Sequence, residues 1–403
     1  MATLTVRQYQ DSDPLSLAPE VLQELVAGYS NRLDIRPAGG TGVTLRGSNY
    51  VGLIRTSELD VVIQPKIPAL SVFWMLGFAD RLVRFDPPDF PLGVEEGLLD
   101  ILARLFAIQT EAIIKRGVFR TYVEREDNLR FVRGRIEPLE DLRTNHGLRH
   151  QVACRFTELT SDVPHNRILL AVTEQLLGYG YRLPGIRERL AWNATHLAEV
   201  SSVPVSERDF TTLRYGRLDT HYRGVHALAR LIVRNLTFEF EAGTRAAPSF
   251  LINMDKVYEE FLRRLIEEQA RALGLQLRGT KDLRLDREGN VVIEPDIVLT
   301  DGFRICAAFD AKYKRHDPGT DVYQALAYAK GMDLSRVTLV YPADGEVEPA
   351  VHRIRNDDVE VLVRTVPVGH HGQGFGDLER EARAAAANLI VESLGDRASV
   401  RAA

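Results

Sequence analysis

The residues best suited to chemistry lie late in the chain. Glu294-Pro295-Asp296 opens one short apolar run, and Asp310-Ala311-Lys312 closes the next. In a strand alternate side chains share a face, so Asp310 and Lys312 are expected to point the same way, with Cys306 and Ala308 behind them and Phe309, Ala311 and Tyr313 turned to the core. Two carboxylates on adjacent strands make a hard oxygen site of the kind Mg²⁺ takes, with water and a substrate phosphate filling the remaining positions. An ammonium beside such an ion can orient an attacking water and offset charge in the transition state of phosphodiester cleavage. By itself an Asp-x-Lys triplet is equally an ordinary same-face ion pair. Gln324 and Tyr328 are four apart, on one side of the following helix, where simple packing against the sheet is the competing use. Glu259 and Glu260, on the helix before the motif, could face the same pocket.

The elements that must position these groups can be read from hydrophobic periodicity. A helix from Met254 to about Leu273 carries Val257, Tyr258, Phe261, Leu262, Leu265 and Ile266 on one face, and Gly274 suits its end. Strands are expected over 275–285, 291–299 and 303–313, then a helix from Val322 to Met332 and a strand from Val337 to Tyr341, an order typical of a compact α/β domain. Leu378 to Leu394, alanine-rich behind Asp377, reads as a terminal helix. Upstream, Asn49-Tyr-Val-Gly-Leu-Ile and Leu59-Asp-Val-Val-Ile-Gln-Pro-Lys are β-branched runs bounded by turn residues, predicting a small barrel or curled sheet. Val72 to Ala79 reads as a buried helix, Asp86-Pro-Pro-Asp as punctuation, and 97–234 as mainly helical. Within that helical stretch, 129–136 and 151–156 are read as extended. Arg130, Arg133, Arg135, Arg143, Arg149 and Arg155 lie in this region, either a solvated surface or a phosphate-contacting stripe. The expected divisions are 1–90, 91–245, 246–370 and 371–403.

One difficulty concerns parity. A two-residue loop at Asp301-Gly302 would pair Asp296 with Ala307 and set it on the opposite face from Asp310. A three-residue loop with Gly302 left-handed, or a bulge near Pro295, restores the face, although Asp296 would still sit several residues along the strand from Asp310. A bent or bulged strand is therefore expected.

Composition limits the alternatives. In 403 residues, 45% hydrophobic and 27% charged, a large core is possible and whole-chain disorder is not. A net charge of −5 requires any nucleic-acid footprint to be local. Two cysteines, Cys154 and Cys306, are too few for a disulfide framework or a cysteine-rich zinc site and suit a reducing cytoplasm. The polar start, with Asp11 and Asp13 where a signal peptide would be apolar, and the lack of a run of about 18 apolar residues predict a soluble protein that is not exported.

Taken together, Pro295-Asp296, Asp310-Ala-Lys312 and Gln324-Ala-Leu-Ala-Tyr328 resemble the PD-(D/E)xK nuclease superfamily with its QxxxY extension. Asp-Ala-Lys-Tyr-Lys, with Asn253-Met-Asp-Lys-Val-Tyr-Glu259 before it and Asp321-Val-Tyr-Gln after it, more particularly resembles the McrC family, the nuclease subunit of McrBC-type modification-dependent restriction systems. Asn49-Tyr-Val-Gly, Ile63-Gln-Pro-Lys66-Ile, Arg116-Gly117, Arg133-Gly-Arg135 and His165-Asn166-Arg167-Ile-Leu look like further landmarks, so the resemblance extends to about residue 345. It implies a β-rich N-terminal domain, a helical middle region and a C-terminal restriction-endonuclease-like α/β domain, an α/β and α+β multidomain protein. It also implies a Mg²⁺-dependent DNA endonuclease with Asp296 and Asp310 as metal ligands, Lys312 as the catalytic lysine, and Glu259, Gln324 and Tyr328 in support. No Gly-Lys dipeptide occurs, so the chain has no P-loop and binds no nucleotide in that manner. The resemblance places hydrolysis, and recognition of the modified base, in a separate McrB-like AAA+ GTPase ring. Asn49-Tyr-Val-Gly and Pro65-Lys66 are candidates for docking on that ring, against a plainer use as sheet and turn residues. The other functional readings are a catalytically silent assembly subunit, which intact Asp296, Asp310 and Lys312 argue against, and a standalone QxxxY repair nuclease.

Overall fold

A computed structural model describes residues 2–39, 42–79, 97–148, 150–237, 249–314, 316–369 and 375–395. The chain divides into two compact units, one made of Met1–Leu99 and Thr237–Ala403, the other of Asp100–Leu236. Each is a mixture of helices and sheets. The turn at Asp86-Pro-Pro-Asp, the aperiodic stretch after Glu241, Arg149 and the divisions expected near 90, 245 and 370 lie outside the described residues.

In the first unit, strand Ala2–Arg7 runs parallel to Leu59–Gln64, which pairs antiparallel with Tyr50–Arg55. The next strand comes from far along the chain: Ser249–Asn253 pairs antiparallel with Tyr50–Arg55. Gly52 makes this possible. Its φ is +134°, and a Cβ there would lie 2.0 Å from the Phe250 carbonyl oxygen, so only glycine lets the two backbones approach. The helix Pro19–Tyr29, which the periodicity does not single out, buries Val21, Leu25 and Tyr29 against Leu45, Ile54, Val61 and Ile63.

Strand Ser249–Asn253 runs directly into helix Met254–Ala272, whose Asn253 N-cap side chain accepts from the Lys256 N–H. A second sheet follows, in the order Gln276–Leu277, Ile297–Thr300, Ile305–Ala311, Arg336–Pro342, Glu360–Val366, Ala350–Arg353. Its three central strands, Ile305–Ala311, Arg336–Pro342 and Glu360–Val366, are parallel, and the outer pairings are antiparallel. The long strands expected over 275–285 and 291–299 shrink to Gln276–Leu277 and Ile297–Thr300, joined by a lone bridge between Arg284 and Val292. The polar run Asp286-Arg-Glu-Gly-Asn interrupts them: the Asp286 carboxylate accepts from Asn290 and Val291 N–H and holds a turn.

Both faces of this sheet are covered. Helix Pro318–Met332 packs Ala325, Tyr328, Ala329 and Met332 on Val298, Ala308, Val337, Leu339, Val361 and Val363. Helices Met254–Ala272 and Phe375–Leu394 contact the sheet and each other on the alternate side chains. The face that carries Asp310 is therefore core as well, and the division into an active face and a core face does not hold.

The second unit combines helices Leu98–Arg116, Pro164–Leu177, Ile186–His196 and Arg223–Asn235 with a three-stranded antiparallel sheet, Thr121–Leu129, Val152–Thr160 and Arg135–Ile136. Its His165-Asn166-Arg167 landmark is a buried hydrogen-bond hub. Asn166 donates to the carbonyls of Phe119 and Ser161 and accepts from Tyr222 Oη, while His165 lies 3.1 Å from Asp219. In and beside this sheet Arg133, Arg135 and Arg155 pair with Glu158, Glu137 and Glu126, and on the helix Pro138–Asn145 Arg143 pairs with Glu140. That neutralisation favours the solvated-surface reading of the arginines over a phosphate stripe. Among the described residues no helix is long and apolar enough to cross a membrane.

Candidate active site

The parity problem is solved by a bulge at the far end of the strand pair. Ile297 pairs with Phe309, Val298 with Ala308 and Leu299 with Ala307, but Thr300 pairs with Ile305, so the register shifts between Leu299 and Thr300 rather than near Pro295. The connection runs from Asp301 to Arg304, with Gly302 at φ +97° and the Asp301 carboxylate accepting from Phe303 and Arg304 N–H. Carrying the register one residue beyond Ile297 sets Asp296 opposite Asp310, on the same face. The expected offset of several residues along the strand does not arise.

Asp310 is 2% exposed and Lys312, at the strand end, lies 2.5 Å from it, Nζ to Oδ2. Asp296 accepts a 2.7 Å hydrogen bond from the N–H of Ala311, between the two. Burial and the neighbouring Asp310 charge push the Asp296 carboxyl up to about 7, against the opposing pull of the Ala311 N–H. Burial raises Asp310 too, with Lys312 pulling the other way. The pocket thus holds two carboxylates that resist ionising together and one ammonium that compensates for one of them.

Helix Pro318–Met332 closes the site. Gln324 Oε1 accepts from Lys312 Nζ at 2.7 Å, Gln324 Nε2 donates to Tyr328 Oη at 2.6 Å, and Tyr328 Oη donates to the Glu294 carbonyl at 3.3 Å. These two side chains therefore join the Lys312 strand to the segment before Asp296. Glu259 is near enough to raise Asp296, but its carboxylate is paired with Arg263 one turn on, at the margin of the constellation. Asp296, Asp310, Lys312, Gln324 and Tyr328 thus converge, and Glu259 borders them.

The donor set suits a divalent cation. Two adjacent buried carboxylates share a single ammonium, so ionising both leaves one negative charge that a bound cation would balance. Among the described residues no group of three or more His, Cys, Asp or Glu side chains gathers as a metal cluster. A pair of carboxylates with the remaining positions left to water and phosphate is how Mg²⁺ is commonly held at phosphoryl sites.

Periodicity missed the layer behind the site. Asp321, Lys314, His316 and Tyr341 form a connected polar cluster. Its sequence signals are that Asp321 precedes Gln324 by one helical turn and that Lys314 and Asp321 lie within the stretches Asp-Ala-Lys-Tyr-Lys and Asp321-Val-Tyr-Gln. Of the upstream docking candidates, Lys66 turns inward. Lys66 Nζ lies 2.7 Å from Asp344, both side chains 9% exposed, and 4.9 Å from the centre of the Tyr313 ring. Asn49 bonds Asp255 through its side chain and receives the Met254 N–H on its carbonyl. Both landmarks fasten the first sheet to the elements around the candidate site.

The chain is similar to known proteins along most of its length. The family model for the McrBC 5-methylcytosine restriction system component matches residues 45–342. The type IV methyl-directed restriction enzyme EcoKMcrBC of Escherichia coli (strain K12) is 23% identical over 333 residues, covering 76% of this chain and 94% of that protein. A chain in the refined half-complex from the tetradecameric assembly of Thermococcus gammatolerans McrB AAA+ hexamers with bound McrC has the same fold. Its TM-score is 0.67 at 16% identity, over 96% of this chain and 100% of that one. The chain belongs to the McrBC 5-methylcytosine restriction system component family, as a McrC-type member.

Proposed function

We propose that this chain is the Mg²⁺-dependent DNA endonuclease subunit of a McrBC-like restriction system, acting on modified foreign DNA in the cytoplasm. The convergence of Asp296, Asp310 and Lys312 on one buried face carries the reading. Asp296 and Asp310 would hold the ion, which when bound supplies Lewis-acid polarisation of the phosphate and makes a nearby water more acidic. The Ala311 N–H fixes one Asp296 oxygen and leaves the other for a ligand. Lys312 uses two of its three N–H groups on Asp310 and Gln324, and the third is available to a phosphate oxygen or the attacking water. Cleavage would leave a 5′-phosphate and a 3′-hydroxyl.

The partner would be a separate McrB-like AAA+ GTPase ring whose hydrolysis the chain stimulates. The fold match to a chain from an assembly of McrB hexamers with bound McrC supports this. The test is cleavage of methylated plasmid by the chain reconstituted with its AAA+ partner, GTP and Mg²⁺. Asp310→Ala and Lys312→Ala are each expected to abolish cutting while GTP hydrolysis persists; if both variants cut like the parent, the nuclease assignment is wrong.

A further inference from the structure

We infer that Asp321 is a positioning residue for Lys312: it ties the first turn of helix Pro318–Met332 to the chain around the site and so sets where Gln324 meets the ammonium. The inference rests on the nuclease reading above and adds a residue to it.

Asp321 is 0% exposed, and a buried carboxylate is costly unless each oxygen is matched. Its Oδ1 lies 2.8 Å from Lys314 Nζ. Its Oδ2 accepts from Tyr341 Oη at 2.7 Å and from the Asp317 N–H at 3.0 Å. Because the tyrosine hydroxyl gives its one proton to the carboxylate, the 2.8 Å contact from His316 Nδ1 to Tyr341 Oη is completed by the ring N–H. One carboxylate thus joins three places: the segment just after Lys312, the start of the helix, and the end of strand Arg336–Pro342.

The same helix face continues with Gln324 and Tyr328, three and seven residues on. Gln324 reaches Lys312, and Tyr328 reaches the carbonyl before Pro295-Asp296. All three side chains therefore read as one set of fastenings, with Asp321 anchoring the end at which the helix begins. The parallel pairing of Ala311 with Val340, next to Tyr341, closes the loop, so a shift of the helix start is transmitted to Gln324 across a single turn. With Asn at 321 an amide N–H₂ would face the Lys314 ammonium, the first turn would lose its anchor, and Lys312 would retain only Asp310.

The test uses single-turnover plasmid cleavage by the chain with its AAA+ partner, GTP and Mg²⁺. The variants are Asp321→Asn, Tyr341→Phe, Gln324→Ala and the two doubles with Gln324→Ala, with thermal unfolding followed in parallel. Tyr341→Phe removes only a hydroxyl and keeps the question answerable if Asp321→Asn folds poorly. Misplacing an oriented group by an ångström costs up to about 100-fold, so Asp321→Asn and Tyr341→Phe are expected to lose about 10-fold or more in rate. The KM for DNA should stay unchanged, and neither substitution should lower the rate further once Gln324 is Ala. Parental rates in both variants, or losses that multiply with that of Gln324→Ala, overturn the inference while a dead Lys312→Ala leaves the nuclease reading intact. A Lys312→Ala variant that cuts like the parent removes both.

Discussion

The carboxylate of Asp296 accepts its hydrogen bond from the backbone of Ala311, the residue that separates Asp310 from Lys312. One N–H thereby locks the two arms of the site together at the point where the strands would otherwise part, since Asp296 precedes the first paired residue, Ile297. The same contact stabilises the charged form of Asp296 that burial and Asp310 oppose.

That opposition has a measurable consequence. A carboxyl raised in the folded state keeps a proton the unfolded chain has lost, so this group subtracts stability as pH rises from about 4 through about 7. Asp296→Asn keeps the bond from Ala311 and removes the charge. In EDTA at pH 8 it is expected to raise stability by about 2 kcal/mol while abolishing cleavage. Thermal unfolding with and without Mg²⁺ checks this; an unchanged or lower midpoint in EDTA would show that the two carboxylates do not repel.

Lys66 and Asp344 form a buried ion pair beneath the candidate site. Lys66→Met preserves volume but strands a carboxylate, which costs about 3 kcal/mol or more. Lys66→Met with Asp344→Leu is expected to recover most of that loss. Denaturant unfolding of the single and double variants measures the coupling.

Gly52 has φ +134° and no room for a Cβ beside the Phe250 carbonyl. Gly52→Ala should cost at least about 2 kcal/mol by separating strands Tyr50–Arg55 and Ser249–Asn253. Faster amide exchange at Leu251 and Leu53 would report that separation.

His226, in the second unit, is buried as the neutral ring: Nε2–H donates to the His165 carbonyl and Nδ1 accepts from Tyr215 Oη. Burial holds its pKa down to about 4. The unfolded ring takes a proton near 6.5 and the folded ring does not, so its contribution is complete above pH 6.5 and is lost as pH falls towards 4, amounting to about 3 kcal/mol. In His226→Gln the stability profile between pH 4 and 6.5 should flatten by about one proton.

Much of the arrangement was legible in the chain itself, because it depends on local pattern. The apolar face of Met254–Ala272, the alternation into Asp310 and Lys312, and the four-residue step from Gln324 to Tyr328 are each set by residues close in sequence. The N-terminal strands at Tyr50–Arg55 and Leu59–Gln64 were equally plain from their β-branched runs.

What only the tertiary structure decided are the pairings between distant segments. Which strand lies beside Tyr50–Arg55, where the bulge falls that sets Asp296 against Asp310, that Lys66 is used on Asp344, and that Asp321 gathers Lys314 and Tyr341 are all questions of register and reach. Local propensity is silent on them, because one residue of slip in a strand reverses every face and the cost of that slip is felt only when the opposing core is in place.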